Sequence, residues 1–496
     1  KRLRKLCLGD VRVFCRADAK AFLEMCSSLS ILKDIVFPDF SFIDADSITG
    51  CFKALESLGN LRSLDLRHTI IRESTAGALT DVLPSLQLLE KVDLNPGFSS
   101  HHKSLLDVLG KLRYLKEFSY GRIKKADIVE FVHALSSLPL LEKLSFSTDV
   151  LSNTEHIGEL YAAIGKLKYL RKLGLVPVID SINDSEAEAL AKLLSSLPLL
   201  EKLRFSTYEL SNIGQLCAAI GKLKYLRKLE LGAYNYNDSD VEALAKALPS
   251  LELLGELKLK VFMRLETDDG KPGLAAISKL RYLKKLECIC LFGSYTYVKA
   301  FSEMLTSLRL LEKLVFFKIN NCINESENKE LFSAVGELKR LKTLHLIGNF
   351  KITPTTVKAL VKALPSLRVL EDLNLHYIYD INGTESEELS AAVGKLKYLK
   401  KLTLHWSKMT QTNVDALVRA LASLQVLEEL TLDVMFYCKH ECDFNCDDEC
   451  HHNCYVATCG EYRRDEQKRH MDLTKEKVLE LREKRLKYLK KFTLNG

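Results

Sequence analysis

The sequence predicts an α/β solenoid in which one unit of strand, loop, helix and loop is repeated along almost the whole chain. Three observations predict this class. The pattern LxxLxxLxL recurs throughout, its copies follow one another at nearly constant steps, and a stretch with helical periodicity precedes each copy. A constant period of this size is typical of repeat proteins, whose units must stack because none can bury its apolar side alone.

The period is clearest at the third apolar position of the pattern, which opens the closing LxL. Successive copies lie 26 to 30 residues apart, except for a last step of 62. The LxL alternates with period two, as expected of a short strand whose neighbouring residues face opposite sides. The predicted strand positions are Leu6, Ile35, Leu64, Val92, Phe118, Leu144, Leu173, Leu203, Leu229, Leu257, Leu286, Leu314, Leu344, Leu373, Leu402, Leu430 and Phe492.

The stretch between two patterns predicts a helix. In residues 185–194, one apolar stripe consists of Ala187, Leu190, Ala191 and Leu194. Three pairs have the spacing of a capping box and predict helix starts: Ser185 with Glu188, Ser239 with Glu242, and Thr384 with Glu387. Prolines stand where helices are expected to have ended, at Pro139, Pro198, Pro249 and Pro365.

Two types of unit alternate, which indicates duplication of a pair. One type reads GKLKYLRKL, from Gly165 and Gly221 and, with Lys in place of Arg, from Gly394. The other type reads LPLLEKL, from Leu138 and Leu197. The two members of a pair therefore share the apolar positions of the pattern and differ in the residues between them.

The charges beside the strands also differ between the two types. Arg171 and Arg227 belong to the first type, and Glu142 and Glu201 to the second. We expect such residues to face each other on neighbouring units as exposed salt bridges, each worth about 0–1 kcal/mol.

These repeats resemble the leucine-rich-repeat superfamily, and their length is most similar to its ribonuclease-inhibitor-like class. The resemblance covers almost the whole chain and implies a horseshoe with parallel strands on the concave face and helices on the convex face. It departs from that class because the Asn that follows LxL is usually absent. Fold alone does not determine function.

Composition and motifs exclude several functions. The 72 basic and 65 acidic residues give a net charge of +7, too small for a chain-wide nucleic-acid or membrane surface. No apolar run reaches the ~18–20 residues that a membrane span needs. No GxxxxGK[ST], GxSxG or HExxH motif occurs, so we expect no enzyme. The chain opens at Lys1 with the repeat already running, so we expect it to be part of a longer protein.

Lysines recur at the position just before the strand leucine, on the predicted open face. They are Lys91, Lys143, Lys172, Lys202, Lys228, Lys285, Lys313 and Lys401, interrupted by Glu117 and Glu256. One interpretation is a solvated surface with each ammonium group in water. The other is a docking site for an acidic partner, to which Lys143, Lys172, Lys202, Lys228, Lys285 and Lys313 would contribute.

A second candidate site is rich in histidine and aromatic residues. His345, His376, Tyr377, His405 and Trp406 fall on three successive predicted strands or just after them, and His376 and His405 occupy the same column. Tryptophan and tyrosine commonly supply binding energy at interfaces. The alternative is that Trp406 covers the end of the core. Two histidines without a third ligand do not predict a metal site.

The long last step predicts an insertion. We expect repeats over 1–434, a Cys/His-rich insertion over 435–470 and a final repeat over 471–496. The insertion contains Cys438, Cys442, Cys446, Cys450, Cys454 and Cys459. Thiolates at short spacing suit zinc, an even count also permits disulfides, and free thiols are the third alternative. The other eight cysteines are predicted to be small core residues.

The leading functional hypothesis is a non-catalytic recognition module that binds a protein or another macromolecule. The chain looks most like the sensor repeats of an animal NOD-like receptor, which implies a cytoplasmic location and a nucleotide-binding module ahead of the repeats. The alternatives are an enzyme inhibitor of the ribonuclease-inhibitor type, a GTPase activator of the Ran type, and a secreted or surface recognition protein. No cofactor is expected unless the insertion holds zinc.

Overall fold

A computed structural model describes the chain except residues 1–2, 10, 13–14, 41–43, 97–102, 149–155, 178–180, 183, 207–208, 211–212, 234–237, 266–270, 293–294, 319–324, 349–353, 379–382, 410, 437–470, 484–485, 487 and 496, and some side chains beside these gaps. Two compact units divide the chain. Unit 1 comprises Lys1–Leu254 and unit 2 comprises Gly255–Gly496.

The strands of unit 1 are parallel and pair with one another in chain order. The main series runs through β1 to β7, β9 and β11, and β8 pairs separately with β10. The strands are β1 (Lys5–Cys7), β2 (Asp34–Val36), β3 (Ser63–Ile71), β4 (Lys91–Pro96), β5 (Glu117–Ile123), β6 (Lys143–Thr148), β7 (Lys172–Pro177), β8 (Ser181–Ile182), β9 (Lys202–Ser206), β10 (Glu209–Leu210) and β11 (Lys228–Ala233).

The strands of unit 2 are likewise parallel and pair in chain order from β12 to β19. They are β12 (Glu256–Leu265), β13 (Lys285–Phe292), β14 (Lys313–Lys318), β15 (Thr343–Gly348), β16 (Asp372–Ile378), β17 (Lys401–Met409), β18 (Glu429–Phe436) and β19 (Lys491–Asn495). The last strand pairs with β18, so the chain resumes the repeat after the long step.

Helices alternate with the strands, and successive helices contact each other within each unit. In unit 1 they are α1 (Arg16–Ser28), α2 (Ala45–Lys53), α3 (Glu73–Val82), α4 (Lys103–Leu109), α5 (Ile128–Ser136), α6 (Ile157–Gly165), α7 (Asp184–Ser195), α8 (Gly214–Gly221) and α9 (Asp238–Ala247). In unit 2 they are α10 (Lys271–Ile277), α11 (Tyr295–Ser307), α12 (Glu325–Gly336), α13 (Pro354–Ala363), α14 (Gly383–Gly394) and α15 (Gln411–Leu421), and residues 471–483 are also helical.

The predicted strand leucines form the core. Every predicted strand position lies on a parallel strand, and all of them are buried except Leu6 and Phe492 at the two ends, which are half-buried. The predicted stripe of α7, from Ala187 to Leu194, is buried as well. The α/β leucine-rich-repeat solenoid predicted from the period is therefore confirmed.

The three predicted capping serines and threonines are not at the helix caps. Helices α7, α9 and α14 begin at Asp184, Asp238 and Gly383, each one residue before the predicted cap. The glutamates of the first two boxes pair forward along their helices instead: Glu188 lies 2.8 Å from Lys192 and Glu242 lies 2.9 Å from Lys246. An i,i+4 partner thus replaces the backward contact that a capping box requires.

Glycine at the end of the helix is what joins the two members of a pair. The hydroxyl of Ser250 donates to the carbonyl of Gly221 at 2.7 Å, and Ser423 donates to Gly394 in the same way at 2.7 Å. A Cβ on Gly394 would lie 2.9 Å from the Ser423 Oγ and 3.2 Å from the Ala420 carbonyl oxygen. We call this the glycine–serine contact, and it explains why the GKL type of unit begins with glycine.

The second helix of a pair also supports the start of the first. Asp240, the third residue of α9, is buried, and its carboxylate accepts a hydrogen bond of 3.1 Å from the backbone N–H of Ile213 at the start of α8. Buried polar residues occupy the same third position in α3, α7, α13 and α15, at Thr75, Glu186, Thr356 and Asn413. The Asp240 carboxylate thus satisfies an N–H group at a helix start that has no partner inside its own helix.

The prediction that scattered cysteines are core residues is right for four of them and wrong for two. Cys26, Cys51, Cys217 and Cys288 are buried, whereas Cys7 and Cys15 are exposed. Cys7 is exposed because it occupies the outward middle position of its LxL. Burial raises the pKa of the Cys26 and Cys51 thiols to about 12, so both stay protonated at neutral pH.

Candidate functional site

Four predicted lysines stand side by side on the strand face of unit 1. Parallel pairing aligns Lys143 with Lys172, Lys172 with Lys202, and Lys202 with Lys228. We call these four residues the lysine column. Adjacent strands are about 4.8 Å apart, so the column concentrates like charges that extended side chains must carry into solvent.

The column is partly neutralised at its first end, which the sequence did not predict. The carboxylate of Glu117, on the neighbouring strand β5, lies 3.5 Å from the Lys143 ammonium and 3.8 Å from that of Lys172. Lys202 is exposed and makes no ion pair with the described residues. The uncompensated charge is therefore at the middle of the column, and the interrupting glutamate acts as a counterion.

A ladder of ion pairs borders the strands on their N-terminal side. Arg171 lies 2.6 Å from Glu201, as predicted. Arg227 and Glu142 were expected to pair in the same way, but neither makes an ion pair with the described residues. The glutamate beside Arg227 is Glu201, which Arg171 already engages.

In unit 2 the same position before the strand leucine is not a run of lysines. Lys285 pairs with Glu256 at 2.6 Å, and Lys313, next in register, makes no ion pair within the described residues. On the next two strands the residues aligned with Lys313 are Thr343 and Asp372. The predicted lysine site therefore divides into a column of four in unit 1 and a pair in unit 2.

Unit 2 instead concentrates imidazoles at the position directly after LxL. The rings of His376 on β16 and His405 on β17 stack with their centroids 3.5 Å apart and their planes inclined by 37°. His405 Nδ1 lies 2.6 Å from a carboxylate oxygen of Asp433 on β18. The amide of Asn495 on β19 donates to the same carboxylate. We call these four residues the histidine cluster.

Burial and neighbouring charge act on the two histidines together. The pKa of His376 is lowered below its ordinary value, first by burial and then by the charge of His405, while Asp433 opposes the shift. The pKa of His405 is also lowered by burial, which outweighs the attraction of Asp433 for the protonated ring. The cluster therefore favours neutral imidazoles, since two stacked imidazolium rings would repel each other.

The third predicted histidine does not join this cluster. His345 on β15 lies beside Asp372 on β16, with 3.0 Å between Nε2 and a carboxylate oxygen, but no hydrogen bond joins the two groups. Trp406 pairs through its backbone with Ile378 and Val434. Its side chain, like that of Tyr377, lies outside the described part of the structure.

The sequence prediction missed two members of the cluster. Asp433 and Asn495 follow LxL on the next two strands, in the column of His376 and His405. Aligning every repeat at its LxL would have placed all four residues together. The pattern of charges along one strand gives no such signal, because the partners come from residues far apart in the chain.

The predicted metal or disulfide residues, Cys438 to Cys459, lie outside the described residues. Among the residues that are described, no group of three or more His, Cys, Asp or Glu side chains could hold a metal ion. In that same part of the chain, none of the helices combines the length and apolarity needed to cross a membrane.

Comparisons with known proteins find similarity in fold only. No protein-family model matches the sequence, and no curated protein does. The structure is similar to an internalin from Listeria monocytogenes at 16% identity and a TM-score of 0.38, over 83% of this chain and 93% of that one. It is also similar to the leucine-rich repeat-containing protein LegL7 from Legionella pneumophila at 12% identity and a TM-score of 0.36, over 62% of this chain and 97% of that one.

Proposed function

We propose that the chain is a non-catalytic recognition module and that the strand face of unit 1 binds an acidic protein partner. The observation that carries the proposal is the lysine column, in which Lys202 makes no ion pair with the described residues and lies between two further lysines. A solvated surface would be expected to mix its charges, and repeated like charges on adjacent strands are destabilising. Binding of an opposite charge would relieve that repulsion.

The histidine cluster and Trp406 are proposed as a second contact region, on the strand face of unit 2. Interface residues of these types combine apolar area with a polar edge. The ordered stack of His376 on His405 leaves the rings in one orientation before any partner arrives. A pre-ordered surface loses less conformational entropy on binding.

The finer proposal is that these repeats are the sensing region of a cytoplasmic receptor similar to the NOD-like receptors. It rests on the resemblance of the repeats, in length and sequence pattern, to those of such receptors. The sequence of the full-length gene product tests it, because a P-loop nucleotide-binding module ahead of the repeats is expected. A secretion signal in that place would favour the secreted recognition protein instead.

The binding proposal is tested with poly-glutamate peptide as the probe and poly-glutamine as its neutral counterpart. The K172E/K202E/K228E variant should lose affinity for poly-glutamate by more than about tenfold, equivalent to about 1.4 kcal/mol. The K20E/K53E/K246E variant carries the same change of net charge on exposed helix positions and is the matched control. Equal losses in both variants would show that only the net charge matters and would contradict the proposal.

A further inference from the structure

A row of exposed apolar side chains runs along the turns that precede the strands of unit 1. Five successive turns contribute Tyr114, Leu140, Tyr169, Leu199 and Tyr225, which we call the tyrosine ridge. The tyrosines are 57%, 56% and 54% exposed and the two leucines 38% each. With strands about 4.8 Å apart, the ridge is about 19 Å long.

The backbone of each turn forces these side chains outward. In the turn of Tyr169, the N–H of Leu167 donates to Ile164 at 3.0 Å, and the N–H of Leu170 donates to Leu167 at 3.0 Å. These bonds direct both leucines into the core, so Tyr169 between them lies at the tip of the turn. The same bonds recur in the turn of Tyr225, where Leu223 and Leu226 are the buried pair.

The ridge is flanked by positive charge alone. Residues 110–114, 136–140, 165–169, 195–199 and 221–225 contain six cations and no carboxylate. All six are exposed, and none makes an ion pair with the described residues. Two of these cations precede each tyrosine in the sequence: Lys111 and Arg113, Lys166 and Lys168, Lys222 and Lys224.

The next charged positions along the chain behave differently. Two residues after the tyrosine, Lys116 lies 2.9 Å from Glu90 and Arg171 lies 2.6 Å from Glu201. Glutamates therefore neutralise the cations where the strands begin, whereas the five turns of the ridge contain no carboxylate. The cations of the ridge lack partners within the chain's own described residues, which points to a partner from outside.

We infer that the tyrosine ridge docks an acidic protein segment that also carries apolar side chains. Carboxylates of that segment would pair with the flanking lysines, and its apolar side chains would cover the tyrosines and leucines. Tyrosine is enriched among residues that dominate binding energy, and uncompensated cations make the surface selective for acidic partners. The inference rests on the proposed recognition function and adds a second surface together with the chemistry of its partner.

Two other anionic partners fit the ridge less well. Single-stranded nucleic acid stacks successive bases on aromatic rings, and here an aliphatic leucine separates each two tyrosines. An anionic membrane requires apolar side chains that can be buried in the lipid. The leucines of the ridge are already more than half covered by the protein, so they offer little further area to lipid.

The test uses a synthetic peptide of repeated Glu-Glu-Phe triplets, long enough to span the ridge, and measures binding by fluorescence anisotropy. We expect the Y114S/Y169S/Y225S and K166E/K168E/K222E/K224E variants each to weaken binding by about tenfold or more, as for loss of interface anchors. Y488S removes a tyrosine that is 61% exposed in unit 2, and K20E/K53E/K192E/K246E repeats the charge change on helices; both should bind as the parent does. Circular dichroism checks that each variant is folded.

The variants also separate this inference from the proposed function. If K172E/K202E/K228E abolishes peptide binding and both ridge variants retain it, the strand face is the binding surface and the ridge inference is wrong. No binding of the Glu-Glu-Phe peptide by the parent protein overturns the inference, whatever poly-glutamate does. Ridge-dependent binding of oligo-dT or of phosphatidylserine vesicles in place of the peptide would overturn it as well.

Discussion

The strand faces of the two units carry different chemistry at opposite ends of the same LxL pattern. In unit 1 the position before the strand leucine carries four adjacent lysines, and in unit 2 the position after LxL carries two stacked histidines with Asp433. The interactions of the lysines depend on ionic strength, because salt screens exposed charges. The interactions of the histidines depend on pH, and burial lowers the pKa of both rings below the ordinary value. The repeat therefore constrains the inward residues and leaves the outward residues free to differ.

The largest expected effect tests whether the two cores are equivalent. Leu203 on β9 and Leu402 on β17 open the LxL of their strands, and both are buried. The L203A and L402A variants should each lower the free energy of unfolding by about 2–5 kcal/mol, since each leaves a cavity in a packed core. Denaturant titration measures both. A loss well below this range in one unit alone would show that the cores are not equivalent.

The second largest effect is expected at the glycine–serine contact, where the two units can be compared by replacing one glycine in each. In the G394A variant the new Cβ would meet a backbone oxygen as well as a hydroxyl, so we expect a loss of about 1–3 kcal/mol. In G221A the nearest atom is the Ser250 Oγ at 3.0 Å, which can rotate away, so the loss should be smaller. The control is G77A, where nothing lies within 4 Å and alanine should stabilise α3 by up to about 1 kcal/mol. The opposite order of the first two variants would contradict this account.

A pH titration should distinguish unit 2 from unit 1. The folded-state pKa values of His376 and His405 lie below the ordinary 6.5. The unfolded chain then binds protons more readily, so the stability contributed by these histidines is present above pH 6.5 and falls as pH drops through their folded pKa values. The H376N/H405N variant should lose part of this dependence. H133Q, altered at an exposed helix position of unit 1, is the matched control for removing a histidine. An unchanged profile in H376N/H405N would contradict the prediction.

The smallest effect concerns the ladder of ion pairs. Arg171 and Glu201 in unit 1, and Lys400 and Glu371 in unit 2, are partly exposed pairs at 2.6 and 2.7 Å. Double-mutant cycles should give a coupling of about 0–1 kcal/mol for each pair, because solvent screens exposed charges. A coupling above this range in one unit would mean that its ladder contributes to stability in a way that the other does not.

Sequence periodicity predicted the strands and the core because burial repeats at fixed spacing. Leu203 and Leu402 could be assigned from their own repeats alone. The counterions could not, since Glu117 and Asp433 approach their partners only after strands pair in register. The capping boxes could not be predicted either, since Glu188 and Glu242 pair with i,i+4 lysines and Glu387 pairs with Arg419 of the next helix. The tyrosine ridge was not predicted because Tyr169 lies between two core leucines. The period predicts the buried leucines and says nothing of the exposed residue between them.

The glycine–serine contact has a consequence for how such a chain can change in length. Deleting residues 166–221 would join Gly165 directly to Lys222 and restore the sequence GKLKYLRKL without a scar. Gly165 would take the place of Gly221 beside Ser250, and Glu142 would precede Arg227. Deleting one repeat would instead place two units of the same kind together. We therefore expect natural length variants of this protein to differ by even numbers of repeats, with the pair as the heritable unit.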